Sequence, residues 1–103
     1  MKSLPLNSEL ESVARRVVWF EDLERALADP IRFAAYVLTY GMHSDVEALR
    51  SYIGDEGLKE AVLNAPPGIF DGRSWAYWNL KIGRFPTPPM PERSFSSRSV
   101  TEG

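Results

Sequence analysis

An all-α fold is what this sequence predicts: a compact bundle of five to six short helices followed by an extended, proline-rich C-terminal tail. Three observations carry that reading. Residues that open helices (Ser, Asp, Pro) stand repeatedly just ahead of apolar runs, and apolar residues return at i, i+3, i+4 and i+7. Strand alternation is almost absent. The prolines Pro86, Pro88, Pro89 and Pro91 then end the helical pattern for good.

Taken in order, Ser8 with Glu11 reads as a capping box, in which hydroxyl and carboxylate satisfy orphan backbone N–H groups. Behind it Leu10, Val13, Ala14 and Val17 form one helical face. The run Val17-Val18-Trp19-Phe20 reads equally as helix or as extended chain, so the helix end stays open. Asp22 caps a short turn over Leu23 to Leu27. Asp29 at N-cap and Pro30 at the first helical position open the next helix, because the missing proline N–H costs nothing there. Ile31, Ala34, Ala35 and Leu38 make one stripe and Phe33, Val37 and Tyr40 another, which predicts a central helix buried on most sides. Gly41 is expected to end it in the left-handed conformation.

Ser44 with Glu47 offers a second capping box for a helix with Val46, Leu49, Tyr52 and Ile53 on its inner side, closed by Gly54. Asp55 opens another, with Leu58, Ala61, Val62 and Ala65 inward. Pro66-Pro67-Gly68 stops the chain, since a proline supplies no helical donor and forces its predecessor out of the α region. Asp71 is the expected N-cap of a last helix from Gly72 to Ile82, with Gly83 at its C-terminus and Trp75, Trp78 and Ile82 sharing a face. The organisation is therefore a helical domain over residues 1–83 and a Pro/Ser-rich tail over residues 84–103, flexible or partner-bound.

Composition narrows function by exclusion. With 103 residues there is room for one domain, and 44% apolar with 25% charged residues is ordinary globular composition. There is no cysteine, which suits a reducing compartment. No stretch approaches the roughly 18 apolar residues of a membrane span, so the expected setting is cytoplasmic, without membrane association. Residues 1–83 hold 9 Lys/Arg and 12 Asp/Glu, a net of −3, while residues 84–103 hold 3 and 2, a net of +1. An acidic body lacks the phosphate-neutralising footprint of a nucleic-acid binder, which makes direct nucleic-acid binding a poor fit.

Catalytic inventories fall short as well. His43 is the one histidine, so no Cys/His pair and no zinc set is available, and a catalytic triad would have to use this loop residue. The pairs Glu21/Asp22 and Asp55/Glu56 sit at helix starts, where the helix dipole favours acids. The glycines form no phosphate-binding fingerprint. A helix-turn-helix over Val46 to Ala65 would present Asp55, Glu56, Lys59 and Glu60 to the groove, the wrong sign for phosphate. The sequence therefore predicts no enzyme and no cofactor.

What remains is protein–protein recognition. Trp75 and Trp78 read first as core. Arg73 at the opening of the last helix and Tyr77 on its outer side belong to the residue types that dominate binding hot spots. Phe85, Met90 and Phe95 are spaced five apart through the proline-rich tail, with Arg93 beside them. Two arrangements account for them: Phe85 and Met90 fold back over the tryptophans, or the segment orders on a partner. The expected partner-binding residues are thus Arg73, Tyr77, Phe85, Met90, Arg93 and Phe95.

Two segments, Asp29-Pro30-Ile31-Arg32-Phe33 through Val37-Leu38-Thr39-Tyr40-Gly41 and Pro67-Gly68-Ile69-Phe70-Asp71-Gly72-Arg73-Ser74-Trp75-Ala76-Tyr77-Trp78 through Gly83, carry a resemblance. With the connecting Arg50, Gly54 and Leu58 they resemble small helical bacterial proteins encoded beside AbiEii-type nucleotidyltransferase toxins and taken as their antitoxins. The resemblance covers about residues 15–95. It implies that the chain binds and neutralises a cognate nucleotidyltransferase toxin. The alternative reading is a small helical adaptor or self-associating interaction module. Many antitoxins of such systems also carry a winged-helix DNA-binding domain, which these residues do not contain, so operator binding is not implied.

Overall fold

The computed structural model describes residues 4–91, and among them five helices and no strand are present. They are α1 (Ser8–Val17), α2 (Leu23–Ala28), α3 (Pro30–Tyr40), α4 (His43–Leu63) and α5 (Gly72–Lys81). The expected all-α bundle is what forms. Helix α3 is its centre: it touches each of the other four helices, and Phe33, Ala34, Ala35 and Val37 are fully enclosed. Around it close Leu10 and Val13 from α1, Leu49, Ala61 and Val62 from α4, and Trp75 from α5.

Local chemistry explains where each helix starts and stops. Asp29 and Asp71 cap as the sequence predicts, accepting from the N–H of Arg32 at 3.3 Å and of Ser74 at 2.8 Å. Asp71 is stabilised as a carboxylate by that bond, which lowers its pKa. The chain entering α5 is fixed further by Phe70, one residue before the cap, whose ring meets Trp75 edge-on at 5.4 Å. This is a hydrophobic staple. At the other end Gly83, at φ 88°, donates to the Leu80 carbonyl (3.0 Å) while Arg84 donates to that of Asn79 (2.8 Å). That pair of bonds is a Schellman closure and bears out the expected role of Gly83.

Three expected caps are corrected. Helix α1 is capped by Asn7 rather than Ser8, its Oδ1 accepting from the Leu10 N–H at 2.9 Å. Its Nδ2 also donates to the Tyr52 hydroxyl at 2.9 Å, which in turn donates to Glu9 at 3.0 Å, so the cap is selected by a contact across the fold. In α4 the back-bonding carboxylate is Asp45, accepting from the Met42 N–H at 2.9 Å, in place of the Ser44/Glu47 box. Gly41 is extended, at φ −78° and ψ 161°, rather than left-handed. Glycine is required there for space, because a Cβ would stand 2.7 Å from the Val37 carbonyl oxygen.

The expected break at Gly54 is present as a kink inside α4. Gly54 adopts φ 72° and ψ 177°, a region open essentially to glycine alone, and nothing would obstruct a side chain there. The constraint is thus purely one of backbone. Arg50 spans the kink, reaching Glu47 at 3.4 Å and Asp55 at 2.7 Å, although exposed pairs of this kind contribute little stability. A less exposed pair matters more: Asp45 is 1% exposed and accepts from Arg16 Nε of α1 at 2.9 Å. The Arg16 guanidinium is the main reason the Asp45 pKa is lowered.

Candidate functional site

Helix α5 divides its aromatic residues between two jobs. Trp75 is buried, and its indole N–H donates to the Pro88 carbonyl at 2.8 Å. Trp78 is half-buried, packs against the core, and donates its N–H to the Leu38 carbonyl at the end of α3, at 2.9 Å. Buried indole N–H groups find partners in this way, so both rings are locked in place. Between them on the helix Tyr77 is 52% exposed and lies edge-on to Trp78 at 5.0 Å. A locked neighbour thereby presents Tyr77 to solvent in one orientation.

Around Tyr77 lies a cleft of about 520 Å³ between α5 and the kinked α4, lined by His43, Glu47, Arg50, Lys59, Trp78 and Lys81 among others. A shallower hollow on the α3 side brings in Arg73, which is exposed. Charges of both signs meet in the cleft, and no titratable group lining it is buried. Among the described residues no cluster of three or more His, Asp or Glu is placed to hold a metal. The cleft presents an exposed tyrosine, side chains of both charges and the neighbouring exposed Leu80.

Of the six expected partner-binding residues, the fold brings Arg73 and Tyr77 to this one face of α5. Phe85 lies just beyond the helix and is 78% exposed, and Met90 is 36% exposed. The tail does return to the domain, but through the Pro88 carbonyl and through Arg84, whose guanidinium sits 6.0 Å over the Trp75 ring. Phe85 is not the covering group: the fold-back arrangement is realised by backbone and arginine instead. Arg93 and Phe95 lie outside the described residues.

A second surface was not anticipated. After α1 the chain turns through Trp19 and Phe20, and their rings join those of Tyr36 and Tyr40 on α3 in an unbroken series. Successive centroids are 5.8, 5.6 and 6.1 Å apart. Trp19 is 76% exposed and Tyr40 60%. Arg32 lies 5.1 Å over the Tyr36 ring and is already paired with Glu21 at 2.6 Å, which raises its pKa further. The four rings thus run from Tyr36, packed partly against the core, out to the exposed Trp19 and Tyr40, with the nearby Arg32 charge balanced by Glu21. Tyr40 had been expected in a buried stripe; its place at the end of α3 carries it past the helices that cover Phe33 and Val37.

Compared with known proteins, the chain matches no family model, no curated sequence and no solved structure. No helix among the described residues is long and apolar enough to cross a membrane.

Proposed function

We propose that this chain is an antitoxin-like binding protein that holds a nucleotidyltransferase-type toxin inactive through the outer face of α5 and the segment that follows it. The toxin reading comes from the resemblance of residues 15–95 to small proteins encoded beside such enzymes. The observation that carries a binding role is the exposure of Tyr77, braced by the locked Trp78 and flanked by Arg73 and Leu80. Tyrosine and arginine at a rigid, partly apolar patch are what interface hot spots are made of. An exposed Phe85 next to it extends the face into the proline-rich segment.

Co-expression tests this reading. A nucleotidyltransferase encoded beside this chain is harmful alone and harmless with residues 1–103 present, and the two proteins co-purify. Replacing Tyr77 and Phe85 together by serine leaves the domain folded and weakens rescue. Toxicity unchanged by the intact chain, with no co-purification, overturns the toxin reading. The alternative, a self-associating or adaptor module, draws on a separate observation, the aromatic strip.

A further inference from the structure

Charge is divided along this chain, and the division falls at α5. Residues 1–71 hold 7 Lys/Arg and 12 Asp/Glu, a net of −5, whereas residues 72–91 hold Arg73, Lys81 and Arg84 and no acid. We propose that the ridge Arg73–Tyr77–Lys81 docks on an acidic surface of the protein partner, one carboxylate seated beside Arg73 and a second at Lys81. This rests on the binding role given above to the outer face of α5 and specifies the chemistry that face meets.

The three side chains stand at i, i+4 and i+8, so they line one side of the helix over about 12 Å. All three are exposed. Neither cation of the ridge forms an ion pair among the described residues. Lys81 holds its Nζ 6.0 Å from the Tyr77 ring centroid, which keeps that charge beside the tyrosine. Arg84 is turned to Trp75 and stands apart from the ridge.

Acids do lie near the ridge, and each is engaged or balanced. Across the cleft Glu47 and Asp55 are held by Arg50, and Glu56 lines the same wall as Lys59, one turn away. Asp71, close to Arg73 in sequence, accepts the Ser74 N–H as the cap of α5. On the α3 side of Tyr77 the hollow of about 340 Å³ has no acid in its lining: Arg73, His43 and Ser74 are among its polar members, and Leu38, Val46 and Trp78 among its apolar ones. A carboxylate on a short aliphatic stem suits that space, because a guanidinium presents a fork that matches two carboxylate oxygens. A nucleic acid would bring many phosphates against an acidic body in exchange for two cations, whereas separate carboxylates meet the ridge alone.

Stopped-flow association with the proposed nucleotidyltransferase partner, at about 50 mM and about 500 mM salt, tests the assignment. The variants are Arg73→Glu, Lys81→Glu and, as a control with the same change in net charge, Arg25→Glu. Arg25 is likewise exposed and outside the ion pairs, on α2, which does not touch α5. Melting temperatures stay at the parent value because all three side chains are exposed; Arg73→Gln and Lys81→Gln repeat the test by neutralising each charge without reversing it. Arg73→Glu and Lys81→Glu each slow association about tenfold at low salt and flatten its salt dependence, while Arg25→Glu stays within about twofold of the parent. Association that ignores salt, or ridge variants that behave like Arg25→Glu, overturns the acidic-surface assignment and leaves the binding role of Tyr77 standing. A parent chain that does not bind the enzyme at either salt overturns the partner reading and this assignment with it. A single-stranded oligonucleotide that displaces the enzyme, and binds less well to the same ridge variants, gives the cations to phosphate and overturns the carboxylate contact.

Discussion

Trp75 and Trp78 on α5 differ from Trp19 after α1 in how they are held: the first two are tied into the fold. Each gives its indole N–H to a backbone carbonyl from another part of the chain, and each packs against the core. Trp19 is 76% exposed and meets Phe20 edge-on. A small domain has few large side chains with which to close its core. One that holds such a residue outside, in a series with three other rings, has surface that folding alone leaves unexplained. The same contrast runs within α5, where the two tryptophans are tied down and Tyr77 between them is held outward.

Substitution should separate the two groups sharply. Trp75→Ala is expected to lose about 3–5 kcal/mol, the usual cost of emptying a large aromatic site, and to unfold much of the domain at ambient temperature. Trp19→Ala is expected to stay within about 0.5 kcal/mol of the parent, as exposed positions do. Chemical denaturation of the pair checks both; similar losses for the two would break the contrast. Trp78→Phe trims the indole to a single ring and removes the N–H to Leu38 together, so a loss of about 1–3 kcal/mol is expected, measured by the same method. A null effect there would mean that neither the bond to Leu38 nor the packing of the second ring holds the domain together.

Acid gives a subtler comparison, between the Asp45–Arg16 tie and the outer faces. The Asp45 pKa is lowered in the folded state by the Arg16 hydrogen bond, so the tie stabilises fully above the unfolded-state value of about 3.9. That contribution fades as pH falls below about 4 and through the lowered folded value, because only the unfolded chain then takes up the proton readily. Thermal melts from pH 7 to pH 2 should therefore show the parent losing more stability than Asp45→Asn, with the two curves converging at the acid end. Parallel curves would contradict a stabilising role for the carboxylate.

Much of the fold was legible because its signals are local. Asp29-Pro30, Asp71 and Pro66-Pro67 each act through their own backbone, and Gly83 closes a helix within its last turn. Where the reading slipped, a distant residue chose between neighbours of similar chemistry. Ser8 and Asn7 can both cap, and Tyr52 on α4 engages Asn7. Ser44 with Glu47 fits a capping box by spacing, yet Arg16, 29 residues before Asp45, draws that carboxylate to the end of the helix. The α5 face was readable for a related reason: Tyr77 points away from Trp75 and Trp78 on any helix. The aromatic strip was not, because Trp19 and Phe20 extend an apolar run and Tyr40 repeats the spacing of Phe33 and Val37. Only the packing of α1 against α3 brings those rings together outside the core.

Tyr77, 52% exposed on α5, is proposed as a contact residue rather than a packing one. Calorimetric titration of the proposed nucleotidyltransferase partner with the full chain and with Tyr77→Ala measures that claim, alongside a melt of each protein. The expected result is an unchanged melting temperature and a Kd at least tenfold weaker, the loss of about 1.4 kcal/mol or more that marks a hot-spot residue. An unchanged Kd, or a melting temperature that falls with the affinity, would contradict it.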